Sequence, residues 1–242
     1  MSAEHCILEV CVDDAEGLLA AVSGGADRIE LCSALDLGGL TPSHSLMQRA
    51  ALLPIPTYAM VRPRAGDFVF SPADIDLMLA DIELIRTTGL AGVVLGANRA
   101  DGSLDTEVLQ CLVAHSKGLG MTLHRAFDLV PDFAEAVEFA ISAGFERILT
   151  SGGALTALKG ADCLRRAYDA AQGRISIMPG AGIKRENVRD ILAIAPFTEV
   201  HSSCSEYIPG LDGKVRKLGF SAESRRVTSA RIVAELKAIV QN

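Results

Sequence analysis

Short runs rich in aliphatic and β-branched residues recur along this chain, near 6–12, 28–33, 57–62, 91–96, 120–127, 146–151, 174–179 and 198–203. Longer stretches with helical spacing and recognisable ends lie between them. Asp13 or Asp14 can cap a helix over 15–23 that stops at Gly24-Gly25, and Ser71-Pro72 opens one over 72–88 that ends at Gly89. Further helices are expected over 105–117, 131–143, 184–194 and 222–240. Eight repeats of strand then helix predict a parallel sheet, and eight such units predict closure into a (β/α)8 TIM barrel. An open doubly wound sheet is the rival, but the first strand runs into Cys11-Val12-Asp13-Asp14, which is no glycine-rich dinucleotide fingerprint. No linker interrupts the pattern, so residues 1–242 are expected to form one α/β domain. Its least regular part is 205–242, read as a long loop at the barrel mouth followed by a final helix.

Alternation within the strands sorts side chains into an outer apolar set and an inner set. In the first strand Leu8, Val10 and Val12 point out, which sends Glu9 and Cys11 in. The second repeats the pattern, with Ile29 and Leu31 outward and Arg28, Glu30 and Cys32 inward. The third directs Tyr58, Met60 and Arg62 inward, the fifth Thr122, His124 and Asp128, and the eighth Glu199 and His201. Strand four offers no polar inward residue, and parity leaves strands six and seven undecided. So polar a lining is costly to bury unless its charges pair, hold a metal or do chemistry. Glu30 and Arg62 are expected to form an ion pair, and a purely structural salt-bridge plug competes with a ligand site as the reading of the whole set. The acid-base candidates are Glu9, Glu30, His124, Asp128 and His201. An anion could be held by Arg62, Arg64 and two glycine-rich turns, represented by Ser151, Gly152, Gly180 and Gly182.

Composition narrows the function. The 242 residues are 49% hydrophobic, enough for a full core, while a net charge of -7 and 5% aromatics argue against nucleic-acid binding. The basic cluster at Lys214 to Lys217 and at Arg225-Arg226 is read as solvated surface. No apolar run reaches the roughly 18 residues of a membrane span. Met1 to His5 lead directly into the first strand pattern without a leader-like segment, so a soluble, cytoplasmic protein is expected. Six widely spaced cysteines without a CxxC motif are expected to be free thiols. Of these, Cys111 and Cys163 fall on helices, Cys6 has outward parity, and Cys204 lies at the mouth.

The segments Ala26-Asp27-Arg28-Ile29-Glu30-Leu31-Cys32, Gly38-Gly39-Leu40-Thr41-Pro42-Ser43, Arg62-Pro63-Arg64-Ala65-Gly66-Asp67-Phe68, His124-Arg125-Ala126-Phe127-Asp128, Leu149-Thr150-Ser151-Gly152 and Gly180-Ala181-Gly182-Ile183 closely resemble the signature segments of the CutC family. The resemblance runs in order from about residue 6 to about 205. It implies a cytoplasmic TIM-barrel protein of copper homeostasis, commonly a homo-oligomer (dimer or tetramer), that binds Cu(I). The cysteines suggested for copper in that family match Cys11 and Cys32, and soft thiolates suit Cu(I). The resemblance implies no established enzymatic activity. The alternative from the residues is a metal-assisted or acid-base isomerase, lyase or hydrolase for a small phosphorylated or carboxylated substrate. No lysine occupies a strand for Schiff-base chemistry, and there is no GxSxG elbow. A scaffold that associates through its outer helices ranks last, since it leaves the polar lining unexplained.

Overall fold

A computed structural model describes residues 6–210, 213–220 and 222–241. What was expected of residues 1–5, 211–212, 221 and 242 lies outside the described residues. The chain alternates as β1 (Ile7–Val12), α1 (Ala15–Ser23), β2 (Arg28–Leu31), α2 (His44–Ala50), β3 (Thr57–Met60), α3 (Pro72–Thr88), β4 (Gly92–Leu95), α4 (Thr106–His115), β5 (Gly120–Leu123), α5 (Phe133–Ala143), β6 (Arg147–Thr150), α6 (Ala161–Ala171), β7 (Ser176–Pro179), α7 (Val188–Leu192) and β8 (Glu199–Ser202). All eight strands are parallel neighbours in the order β7-β6-β5-β4-β3-β2-β1-β8. With β7 packed against β8, the sheet forms a nearly closed TIM barrel.

The predicted strands are present but shorter, because the last residues of most predicted runs leave the ladder at the mouth. Helices α2 and α6 are not among the predicted ranges, although Cys163 does sit on α6 as expected. Local chemistry explains the helix starts. Asp14 accepts the Gly17 amide at 2.6 Å, and Asp132 accepts from Ala134 and Glu135. Ser71 and Asp74 form a reciprocal capping box with Pro72 in the first turn. The predicted helix over 184–194 shrinks to α7 because Asn187 folds back to accept the Lys184 amide and donates to the Gly182 carbonyl.

Past the barrel, the expected long loop is a folded hairpin: β9 (Ser205–Pro209) pairs antiparallel with β10 (Ser224–Thr228), with α8 (Gly213–Lys217) between them. The final helix α9 (Ala230–Val240) therefore starts later than 222, because the preceding residues are spent on β10. It packs on α1 and α7.

The parity reading holds for the first three strands. Leu8, Val10, Val12, Ile29, Leu31, Ala59 and Val61 are fully buried against helix residues such as Leu18, Met47 and Ile82 in the shell between sheet and helices. A separate interior cluster joins Cys32, Tyr58, Met60 and Val94. The Tyr58 ring lies directly on the backbone of β4 and β5, where a Cβ added at Gly92 would come within 2.3 Å of it and 2.5 Å of the Gly120 carbonyl. Gly92 is thus small because the aromatic ring needs its volume. Gly92→Ala is expected to destabilise the protein by about 1–3 kcal/mol through overpacking, read as a lower urea midpoint at unchanged slope.

Candidate metal centre at the barrel mouth

The lower half of the barrel interior is an ion-pair plug. Arg28 on β2 bonds Glu9 on β1 and Glu199 on β8, while Arg147 on β6 reaches Glu199 at 3.0 Å, Thr122 at 3.1 Å and Glu146 at 3.0 Å. Tyr58 completes the layer by donating to Glu146 at 2.8 Å while both guanidinium groups lie over its ring. The structural reading of the lining is therefore correct for this half, and its second cation is Arg147 on undecided strand six. The structure settles strand six: Ile148 is fully buried in the shell between sheet and helices, so its neighbour Arg147 points in.

One carboxylate of the plug also faces upward. Glu9 Oε1 lies 2.8 Å from His201 Nδ1, because β1–β8 register sets Glu9 opposite His201. Register likewise sets Cys11 opposite Glu30. The result is a buried trio, Cys11, Glu30 and His201, whose ligand atoms all lie within 4.8 Å of one another. His201 Nε2 is 3.8 Å from Glu30 Oε2, and Glu30 Oε1 is buried with no hydrogen-bond partner.

Electrostatics differ sharply across these few ångströms. Burial alone would raise the Glu9 carboxyl, but the Arg28 guanidinium and then the His201 ring hold it down at about 2. Glu30 lacks a guanidinium in contact, so burial raises its carboxyl, with Glu9 adding to the effect. Burial, then Glu30, pushes the Cys32 thiol well above its ordinary value. For His201 burial lowers, yet Cys11, Glu30 and Glu9 together raise the ring well above its ordinary value.

The expected thiol pair is spread over two levels. Cys32 follows Glu30 by two residues and so stands one inward layer above Cys11's partner, with its Sγ 3.5 Å from Glu30 Oε2. The expected Glu30–Arg62 ion pair does not form, because β2–β3 register sets Tyr58 opposite Glu30 and leaves Arg62 two inward layers higher. Arg62 instead donates to the carbonyls of Leu37, Gly39 and Gly66 and lies over the Phe68 ring.

The glycine turn after β6 and the Gly180 amide are likewise already occupied. Asp128 sits in a 3₁₀ turn after β5, and its carboxylate receives Thr150 Oγ1, the Ser151 and Gly153 amides and Arg125. The Gly152 amide goes to Thr150 Oγ1 and the Gly180 amide to the Thr150 carbonyl. Arg64 faces away, paired with Asp67 and Asp74. Asp128, Arg64, Ser151 and Gly152 thus stand apart from the trio, whereas Gly180 packs beside His201, whose Cδ2 a Cβ added there would meet at 3.5 Å. His124, Arg62 and Gly182 do line the same cavity as the trio, a space of about 710 Å³ that also takes in Cys204 and, from the hairpin, Tyr207 and Arg226. Arg226 is not merely solvated, since it pairs with Asp36 at 3.3 Å.

Residues 6–206 match the model of the CutC family. The chain belongs to the CutC family. A CutC family protein of Sinorhizobium medicae (strain WSM419) is 57% identical over 96% of this chain and 95% of its own length. The human copper homeostasis protein cutC homolog is 41% identical over all of this chain and 91% of its own length. Among solved structures, the CutC protein of Streptococcus agalactiae superposes with a TM-score of 0.78 at 28% identity, covering 82% of this chain and 98% of that one. Phosphoribosylanthranilate isomerase from Pyrococcus furiosus gives 0.58 at 14% identity over 98% of this chain and 100% of that one, a likeness of fold alone. In this CutC-family chain no helix among the described residues is long and apolar enough to cross a membrane.

Replacing Glu9 by Gln leaves Arg28 half-paired inside the barrel and is expected to cost about 3–5 kcal/mol, measured by urea unfolding at neutral pH. The Glu9 carboxyl is depressed from 4.5 to about 2. Its contribution to stability is therefore complete above the unfolded value and is lost as pH falls from 4.5 towards 2. The acid limb of the stability curve is expected to be shallower in Glu9→Gln than in the wild type.

Proposed function

We propose that this CutC-family protein serves copper homeostasis in the cytoplasm by holding Cu(I) at the barrel mouth, with the Cys11 thiolate and His201 Nε2 as principal ligands and Glu30 beside them. The observation that carries the reading is the convergence of Cys11, Glu30 and His201 inside the barrel, with one Glu30 oxygen left without a partner. A thiolate and an imidazole are donors that copper favours, and two such groups suffice for a low-coordinate Cu(I) site.

The surroundings support it. A ligating histidine is typically oriented by a carboxylate on its other ring nitrogen, and Glu9 stands in that position at Nδ1, leaving Nε2 directed towards Glu30. The plug below anchors Glu9 in turn. Cys32 is the next thiol available, across the Glu30 carboxylate, and serves as a secondary donor in this reading. The cysteines among the described residues are all free, as cytoplasmic thiols are.

Anaerobic titration of the reduced, metal-free protein with Cu(I) against a chromophoric competitor tests this. Wild type is expected to take up copper, Cys11→Ser to lose it, and Cys32→Ser to retain most of its affinity. Glu9→Gln should weaken binding roughly 10- to 100-fold through the misoriented histidine. Unchanged stoichiometry and affinity in Cys11→Ser would sink the proposal.

A further inference from the structure

Two buried N–H groups in the cavity have no acceptor. His124 Nδ1 accepts the Ala126 amide at 3.1 Å, which places the ring proton on Nε2. Burial, helped by the Arg62 charge, lowers the ring's pKa to about 3, so the imidazole is neutral and its Nε2–H is a fixed donor. That Nε2 has no partner, although His124 is only 3% exposed. The Nε–H of Arg62, a residue 5% exposed, is unpartnered as well. Both groups flank one ring: His124 lies 4.8 Å from the Phe68 centroid, and the Arg62 guanidinium lies 4.8 Å above it.

Arg62 also differs from the other buried guanidinium groups in its charge. Arg28 and Arg147 each contact two carboxylates, whereas Arg62 has only carbonyl partners among the described residues. A buried cation without a counter-ion, next to a second unused donor, is an incomplete anion site. The cavity both residues line measures about 710 Å³, the size of a small organic ligand's pocket rather than that of a bare ion.

We propose that this cavity binds a small organic carboxylate, whose two oxygens are received by Arg62 Nε–H and His124 Nε2–H against the Phe68 ring. Two donors match the two oxygens of a carboxylate. A phosphate calls on more donors than these two, and the amides of Ser151, Gly152, Gly153 and Gly180 are already bonded within the protein. The site uses other residues than the Cys11–Glu30–His201 trio, which lines the same cavity, and it stands whether or not that trio holds copper.

Metal-free protein titrated with succinate or lactate, and with inorganic phosphate at equal ionic strength, provides the test by calorimetry and thermal shift. Saturable binding of the carboxylates in preference to phosphate is expected, weakened roughly 10- to 100-fold in Arg62→Met and in His124→Phe and unchanged in Cys111→Ser, on the outer helix α4. Since Arg62→Met also releases three loop carbonyls, the ¹⁵N resonance of His124 Nε2 in the wild type gives a readout free of mutation: it should shift and saturate with the calorimetric affinity. No saturable response in either measurement overturns the proposal. So does a response that phosphate matches, or one that Arg62→Met and His124→Phe both retain.

Discussion

The contact between Glu9 and Arg28 decides what the rest of the barrel interior can be. Glu9 has no solvent exposure, and a carboxylate so placed would take up a proton if left alone. Arg28 keeps it ionised, and Glu199 and Arg147 continue the alternation of charge so that neither guanidinium is left uncompensated. TIM-barrel interiors are usually filled by branched aliphatic side chains. Here a charged layer fills the same volume, with Tyr58 as its apolar member. An ionised Glu9 can in turn orient His201, and a neutral one could not do so with comparable strength.

The interior therefore changes character along the barrel axis. Charges in the lower layer find partners, and the polar atom it leaves unmatched, Ser176 Oγ, is a hydroxyl whose desolvation is mild. Above it the unmatched atoms belong to Glu30, His124 and Arg62, an acid, a neutral imidazole and a cation. Unsatisfied groups of that kind are expensive in a finished core and are common where a ligand completes the structure. The hairpin of β9 and β10 brings Tyr207 and Arg226 to the cavity rim, so the segment after β8 encloses the same space that these groups face.

Most of the fold was legible in the alternation of apolar and polar positions, because the requirement that strands bury one face against helices acts residue by residue. Leu8, Val10 and Val12 identify themselves as outward, and Glu9 and Cys11 follow without further information. The caps at Asp14 and Ser71 are similarly local. What escaped was set by relations between distant segments. Asp128 reads as an inward strand residue until β5 ends at Leu123 and a 3₁₀ turn carries the carboxylate to the amides after β6. The hairpin was hidden because Ser205 to Thr228 carries turn signals throughout, and only the pairing of β9 with β10 makes strands of its ends.

Register is the decisive relation of this kind, and it changes the meaning of the repeated Glu-x-Cys motif. Parity places both motifs inside the barrel but says nothing about their relative height. If the two were level, Cys11 would face Cys32 and the site would be a pair of soft thiolates. The parallel pairing of β1 with β2 is offset by one inward step, so that Cys11 meets Glu30 while Glu9 meets Arg28. A repeat whose internal spacing equals the offset necessarily brings unlike members together. That meeting sets a thiol beside a carboxylate that has no guanidinium of its own, while the same offset brings Glu9 to Arg28 and neutralises a buried charge. The same two-residue spacing that makes the motif look like a matched pair of metal ligands thus produces a mixed donor set, completed by a histidine from β8 that lies far away in sequence.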